Sequence, residues 1–177
     1  SSLLRLSVPA ALAAAQSACS ARDEGTTFAT LTAAEAVELE AIAARIIPTT
    51  STPGAREAGV IYFMDNVLGA QLAEMLPRVR DRLAAFQAGI AGRFADAPQF
   101  SDLSDADQDT WIGENETTEF FSLAKELTVM GFFAMSSYGG NKDNIAWDLI
   151  GFDGHGAAQP PFGYYDAEYI EETGSAD

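Results

Sequence analysis

The amino-acid sequence predicts an all-α protein, a single helical domain of about five to seven helices with an irregular Gly-rich C-terminal segment. Three observations predict it. Apolar side chains recur at helical spacing within residues 33–47, 53–68, 70–90 and 117–133. Capping and breaking residues bound these stretches. No run alternates apolar and polar side chains over the length of a strand.

Taken in order, Thr32-Ala33-Ala34-Glu35 reads as a capping box, with the threonine hydroxyl accepting from the Glu35 amide while the glutamate reaches back. Leu39, Ile42, Ala43, Ile46 and Ile47 share one helical face, and Pro48 ends the helix. Residues 49–52 form a turn. Pro53 is expected at the first helical position after a Thr52 cap, opening a helix through Ala58, Ile61, Tyr62, Asp65 and Leu68. Another begins near Ala70 or Pro77 and carries Leu72, Leu76, Val79, Leu83, Phe86 and Ile90. Pro98 breaks the chain. Ser104 caps a short helix whose Asp105 and Asp107 suit the positive end of the helix dipole. Thr117 or Thr118 starts the last long helix, with Phe120, Phe121, Leu123, Leu127, Met130 and Phe133. Beyond Tyr138 one short helix is expected, around residues 144–150.

The 177 residues suffice for one domain that buries about 70% of the surface its unfolded chain would expose. A hydrophobic fraction of 47% and a mean hydropathy of +0.01 describe a soluble globular chain. The net charge of −16 is unevenly spread. Residues 1–95 carry 8 basic and 9 acidic side chains, whereas residues 96–177 carry 2 and 17. Such an acidic half repels phosphate backbones and anionic headgroups, which argues against nucleic acid as a partner. It reads either as a solubilising face or as a docking surface for a basic partner.

Residues 1–19 stand apart. From Leu3 to Ala18 the chain is apolar and Ala-rich, yet short of the roughly 20 residues that a membrane-spanning helix needs. It matches the apolar region of an export signal, with Ala13-Ala14-Ala15 as a small-residue cleavage site. Leu3-Leu4-Arg5 resembles the end of a twin-arginine signal whose arginines would lie upstream of Ser1. An ordinary buried N-terminal helix is the other reading. Cys19 is the single cysteine, so no internal disulfide forms. Lipidation, a cross-link to another subunit and a free thiol all stay open for it. Residues 20–30 read as a polar linker and 155–177 as an acidic aromatic tail with Tyr164, Tyr165 and Tyr169. His155, in a Gly-rich loop without a second nitrogen or sulfur ligand nearby, does not suggest zinc.

No dinucleotide, P-loop, esterase or haem-attachment motif occurs. Gly54 and Gly59 lack the preceding strand of a phosphate cradle, and Arg56 and Glu57 read as ordinary surface or interface pairs. Asp105, Asp107, Asp109 and Glu116 match oxygen-ligand positions of a calcium loop, but Thr110 stands where that loop needs Gly. Phe120, Phe121, Phe132 and Phe133 read as core. The most distinctive stretch is Tyr138-Gly139-Gly140-Asn141, followed by Trp147, Gly151 and Gly154. Adjacent glycines there imply positive φ or very close packing. No acid–base or nucleophile set surrounds them, so the segment points to binding rather than chemistry.

Three pieces taken together resemble one family. They are Leu31-Thr32-x-x-Glu35 running to Arg45-Ile46-Ile47-Pro48-Thr49, then Pro53-Gly54-Ala55-Arg56-Glu57-Ala58-Gly59-Val60 with Asp65. The third is Phe132-Phe133 with Tyr138-Gly139-Gly140-Asn141, Trp147, Ile150-Gly151 and Gly154. In that order, over residues 31–154, the chain resembles subunit 3 of gluconate 2-dehydrogenase, the small or hitch-hiker subunit of bacterial flavin-dependent sugar dehydrogenases. It departs at Ser136, where the family commonly has Pro. The resemblance implies a non-catalytic accessory subunit without flavin or haem of its own. It implies a large glucose-methanol-choline-type flavoprotein holding FAD as partner, a c-type cytochrome with haem c as electron acceptor, and twin-arginine export to the periplasm. It also implies a partner interface at Tyr138, Gly139, Gly140, Asn141, Trp147 and Gly151, with the turn at Pro48, Pro53, Gly54 and Arg56 as a second candidate. The alternative is a stand-alone acidic helical binding protein, calcium-modulated through residues 105–116.

Overall fold

The computed structural model describes residues 28–94, 97–152 and 154. The export-signal-like segment, Cys19, most of the linker, His155 and the tail tyrosines lie outside the described residues. Within them the chain forms α-helices joined by short 3-10 turns, and no strand is present. The helices are α1 (Ala33–Ile46), α2 (Val60–Gly69), α3 (Leu76–Ala88), α4 (Ile90–Arg93), α5 (Asp105–Asn115), α6 (Glu119–Phe133) and α7 (Ile145–Ile150).

The predicted capping box forms: Thr32 Oγ1 accepts from the Glu35 amide, and Glu35 Oε2 accepts from the Thr32 amide at 2.7 Å. Ser104 and Thr118 cap α5 and α6 in the same way, through the amides of Asp107 and Phe121. Helix α2 is apolar on nearly every side because it is the central helix, packed against both α1 and α6. Helix α3 lies against α6, where Phe86 meets Phe120, Phe100 and Trp111 at ring separations of 4.9, 5.5 and 5.9 Å. Phe120 and Phe132 are core, as expected, but Phe121 is half-buried and Phe133 is exposed.

Buried polar groups hold this arrangement together. Asp65, on α2, accepts from the amides of Ala29, Thr30 and Leu31 at 2.8–2.9 Å, fixing the entry to α1. Glu38 on α1 accepts from the Ser101 amide and hydroxyl and from Gln87. Gln87 in turn accepts from the Phe100 amide, and Gln108 donates to the Phe100 carbonyl. These bonds join α1, α3 and α5 through one irregular segment, while the buried Trp111 indole N–H on α5 has no hydrogen-bond partner.

One expectation is corrected and one alternative is set aside. Pro53 does not open a helix. Ile47 carbonyl accepts from the Ala55 amide, Glu57 accepts from the Gly54 amide, and residues 55–59 turn before α2 starts at Val60. Gly59, at φ +66°, is the cap instead, so the start signal was a left-handed glycine rather than the proline. The 105–116 stretch is no calcium loop either. It is α5, and Arg45 from α1 binds Asp109 at 2.5–2.7 Å and Asp105 at 3.1 Å. Asp105 and Asp109, four residues apart on one helical face, thus share the Arg45 guanidinium, and helical geometry sends Asp107 to the opposite side.

The charge asymmetry also has a structural use. All six arginines of the described residues are ion-paired. Arg45 pairs with Asp105 and Asp109, Arg93 with Glu114, and Arg78 and Arg82 with Glu119. Four acids from the second half of the chain therefore neutralise arginines of the first.

Candidate docking surface

Helix α6 ends in a tight knot that exposes apolar side chains. Gly131, on α6, and Gly140 approach so closely that a Cβ on Gly140 would sit 2.1 Å from the Gly131 carbonyl oxygen. Gly139 occupies φ +98°, with its own would-be Cβ 2.6 Å from Asn66 Nδ2. Both meanings of adjacent glycines are thus realised, one in each residue.

Asn141 locks the knot. Fully buried at φ +46°, it donates from Nδ2 to the Ala134 carbonyl and accepts at Oδ1 from the Ala146 amide. One side chain thereby ties the end of α6 to the start of α7. Trp147 Nε1 donates to the Phe133 carbonyl at 3.0 Å, and its ring meets Phe152 edge-on at 5.1 Å. Gly151 ends α7 at φ +69°. Asn66 Nδ2 donates to the Tyr138 carbonyl, holding the turn against α2.

The outer side of the knot is apolar. A groove of about 520 Å³ runs between α2 and α6, lined by Phe63, Val67 and Leu72 opposite Val129, Met130 and Phe133. Met135 and Tyr138 complete its rim, and Gln71 and Tyr138 bring its only polar side-chain atoms. Val129, Met130, Phe133, Met135 and Tyr138 are 39–59% exposed. Leu149, Ile150 and Phe152 add further exposed apolar area around α7. Clustered exposure of this kind marks an interaction surface, whereas single exposed apolar residues need no explanation.

The predicted site residues therefore divide. Tyr138 contributes to the surface and the half-buried Trp147 ring supports exposed Phe152, while Gly139, Gly140 and Asn141 shape the knot from behind. The second candidate turn reaches the knot at its far end, where the Lys142 amide donates to the Ala58 carbonyl. Within that turn Pro48 is exposed, Gly54 is buried beneath the Ile47–Thr49 backbone, and Arg56 pairs with Glu40 at 3.1 Å. Pro53 is half-buried. Glu57 binds Thr49 Oγ1 and the Gly54 amide. Burial raises its carboxyl pKa, and these hydrogen bonds with Arg56 more than offset that, leaving it below the ordinary value.

Sequence reasoning missed Val129, Met135, Leu149 and Phe152 as surface, and Phe63 and Val67 as groove wall. The signal for α6 was present: Val129-Met130 and Phe132-Phe133 spread apolar groups over more of the helix than one core face requires.

A second, polar cleft of about 460 Å³ lies between Gly59, Tyr62, Asn66, Ser136, Gly139, Lys142 and Asp143. Its Asp65 carboxylate is already taken by three backbone amides. Among the described residues, no group of His, Cys, Asp or Glu is arranged to hold a metal ion, and no helix is long and apolar enough to cross a membrane.

A family model for gluconate 2-dehydrogenase subunit 3 matches residues 33–154, well over half of the chain. No curated protein and no solved structure gave a match.

Proposed function

The chain belongs to the gluconate 2-dehydrogenase subunit 3 family, and from that premise we propose that it is the non-catalytic accessory subunit of a periplasmic FAD-dependent dehydrogenase acting on a sugar, polyol or gluconate-type substrate. It binds and stabilises the large glucose-methanol-choline-type flavoprotein and accompanies that subunit through twin-arginine export. Electrons leave through a c-type cytochrome subunit carrying haem c.

The observation that carries this reading is the exposed apolar groove between α2 and α6. Its rigid helical walls and the Asn141-locked turn present Met130, Phe133, Met135 and Tyr138 with little ordering left to do on association. Fully burying one such side chain contributes roughly 1.5–3 kcal/mol, so a few central anchors suffice for a stable subunit contact. The groove suits a protein surface better than a flavin. Gln71 and Tyr138 supply its polar atoms, and no cation lines it to meet a pyrophosphate. FAD accordingly belongs to the large subunit in this reading.

The test is co-expression of the flavoprotein with the wild-type chain, with a Met130→Asp/Phe133→Asp variant, and alone. The wild type is expected to raise soluble and periplasmic flavoprotein, read from its flavin absorbance. The variant, altered only at exposed positions, loses that effect while its own melting temperature stays close to wild type. Equal flavoprotein yield and location in all three arms would overturn the proposal.

A further inference from the structure

Four methionines occur in the chain, and the fold sorts them sharply. Met64 is buried at 1% exposure and Met75 is half-buried, whereas Met130 is 50% and Met135 59% exposed. The two exposed ones flank Phe133 and both line the apolar groove. Met130 sits on α6, and Met135 lies in the extended backbone that leaves it. Nothing in the groove requires sulfur: leucine would serve the same apolar purpose at nearly the same volume.

We propose that Met130 and Met135 are oxidation sites through which a peroxide switches the docking face off, an inference that rests on the docking role given above. In the reaction the thioether sulfur attacks one oxygen of hydrogen peroxide and the O–O bond breaks. Sulfur gives up two electrons and keeps that oxygen as a sulfoxide. The second oxygen takes up the protons and leaves as water. The groove is open and wide enough for so small an oxidant, and thioether oxidation follows exposure.

The consequence follows from the lining. A sulfoxide is strongly polar, and of the groove's side chains only Gln71 and Tyr138 carry a hydrogen-bond donor, the rest being apolar. In the free chain water solvates it, so the fold is undisturbed. On docking that water must leave, and the bound state is penalised.

The experiment treats the full chain with hydrogen peroxide, follows each methionine by peptide mass spectrometry, and measures capture of the flavin-bearing large subunit. Met130 and Met135 should gain one oxygen at least about tenfold faster than Met64. Capture should weaken at least about tenfold, with the chain's helical circular dichroism unchanged. A Met130→Leu/Met135→Leu chain should show the same capture before and after treatment, each compared with its own untreated sample. Oxidation of Met64 at the same rate, or equal capture before and after treatment, overturns the proposal. So does a leucine variant that remains peroxide-sensitive. Failure of the untreated wild type to capture the large subunit would instead overturn the docking role, and the switch with it.

Discussion

Replacing Gly140 by Ala tests the knot that shapes the end of the exposed apolar groove. The new Cβ would lie 2.1 Å from the Gly131 carbonyl oxygen, 2.9 Å from its carbon and 3.1 Å from Phe63 Cβ. Ordinary contact begins near 3.4 Å, so the two backbones must separate by at least 3.4 − 2.1 = 1.3 Å. Neither yields readily. The oxygen belongs to α6, and Gly140 adjoins Asn141, which is bonded at both ends of its amide. Overpacking against backbone costs about 3 kcal/mol, at the upper end of the usual range. For a chain of this size that lowers the melting temperature by about 6–12 °C. Gly113→Ala, inside α5 with nothing within 4 Å of the added methyl, is the control. It should stabilise by about 0.5–1 kcal/mol and raise melting by about 1–4 °C. Thermal circular dichroism of both variants reads the two signs. A Gly140→Ala chain that melts within about 2 °C of wild type would refute the close approach.

Asp65→Ala removes the acceptor of three amides, and with the side chain buried the loss should reach about 3 kcal/mol. Hydrogen exchange at Ala29, Thr30 and Leu31 should accelerate, and unchanged protection there would contradict the assignment. Burial raises the Glu35 carboxyl pKa, but the Arg80 guanidinium and the amide and hydroxyl of Thr32 outweigh it, so the folded value lies below 4.5. The stability this gives is present above the unfolded value and is lost as pH falls through the folded one. Melting temperatures of wild type and Glu35→Gln should therefore converge on acidification below pH 4.5, and a constant gap would refute the linkage. Calcium titrated calorimetrically should give no saturable heat, because Asp105 and Asp109 lie on a helix against Arg45. A saturable signal abolished by Asp109→Asn would restore the loop reading.

What was legible in the sequence was local. The Thr32–Glu35 box, the Ser104 and Thr118 caps and the apolar faces of α1, α3 and α6 depend on residues at most a few turns apart, and the structure repeats them. The start of α2 was misread because Pro53 is a strong local signal overruled by a longer-range one. Gly54 is pressed beneath Ile47–Thr49, where its would-be Cβ meets the Ile47 oxygen at 2.6 Å, and Glu57 closes the turn from outside. The 105–116 ligand spacing failed for the same reason in reverse. Periodicity favoured a helix, and the partner that fixes its acids sits 60 residues or more away on α1. Tyr138-Gly139-Gly140-Asn141 announced its backbone geometry but not its neighbours, since Gly131 and Ala146 become contacts only through the fold. The groove was least legible of all. An exposed apolar cluster and a core face share one alphabet, and only burial distinguishes Met130 from Leu127.

Asp65 has a mechanical corollary. The Ala29–Leu31 segment that leads into α1 is gripped by one carboxylate reaching from the central helix, while the Phe28 ring lies flat on Tyr62. A displacement of that segment therefore loads three hydrogen bonds to α2 before it reaches the first turn of α1.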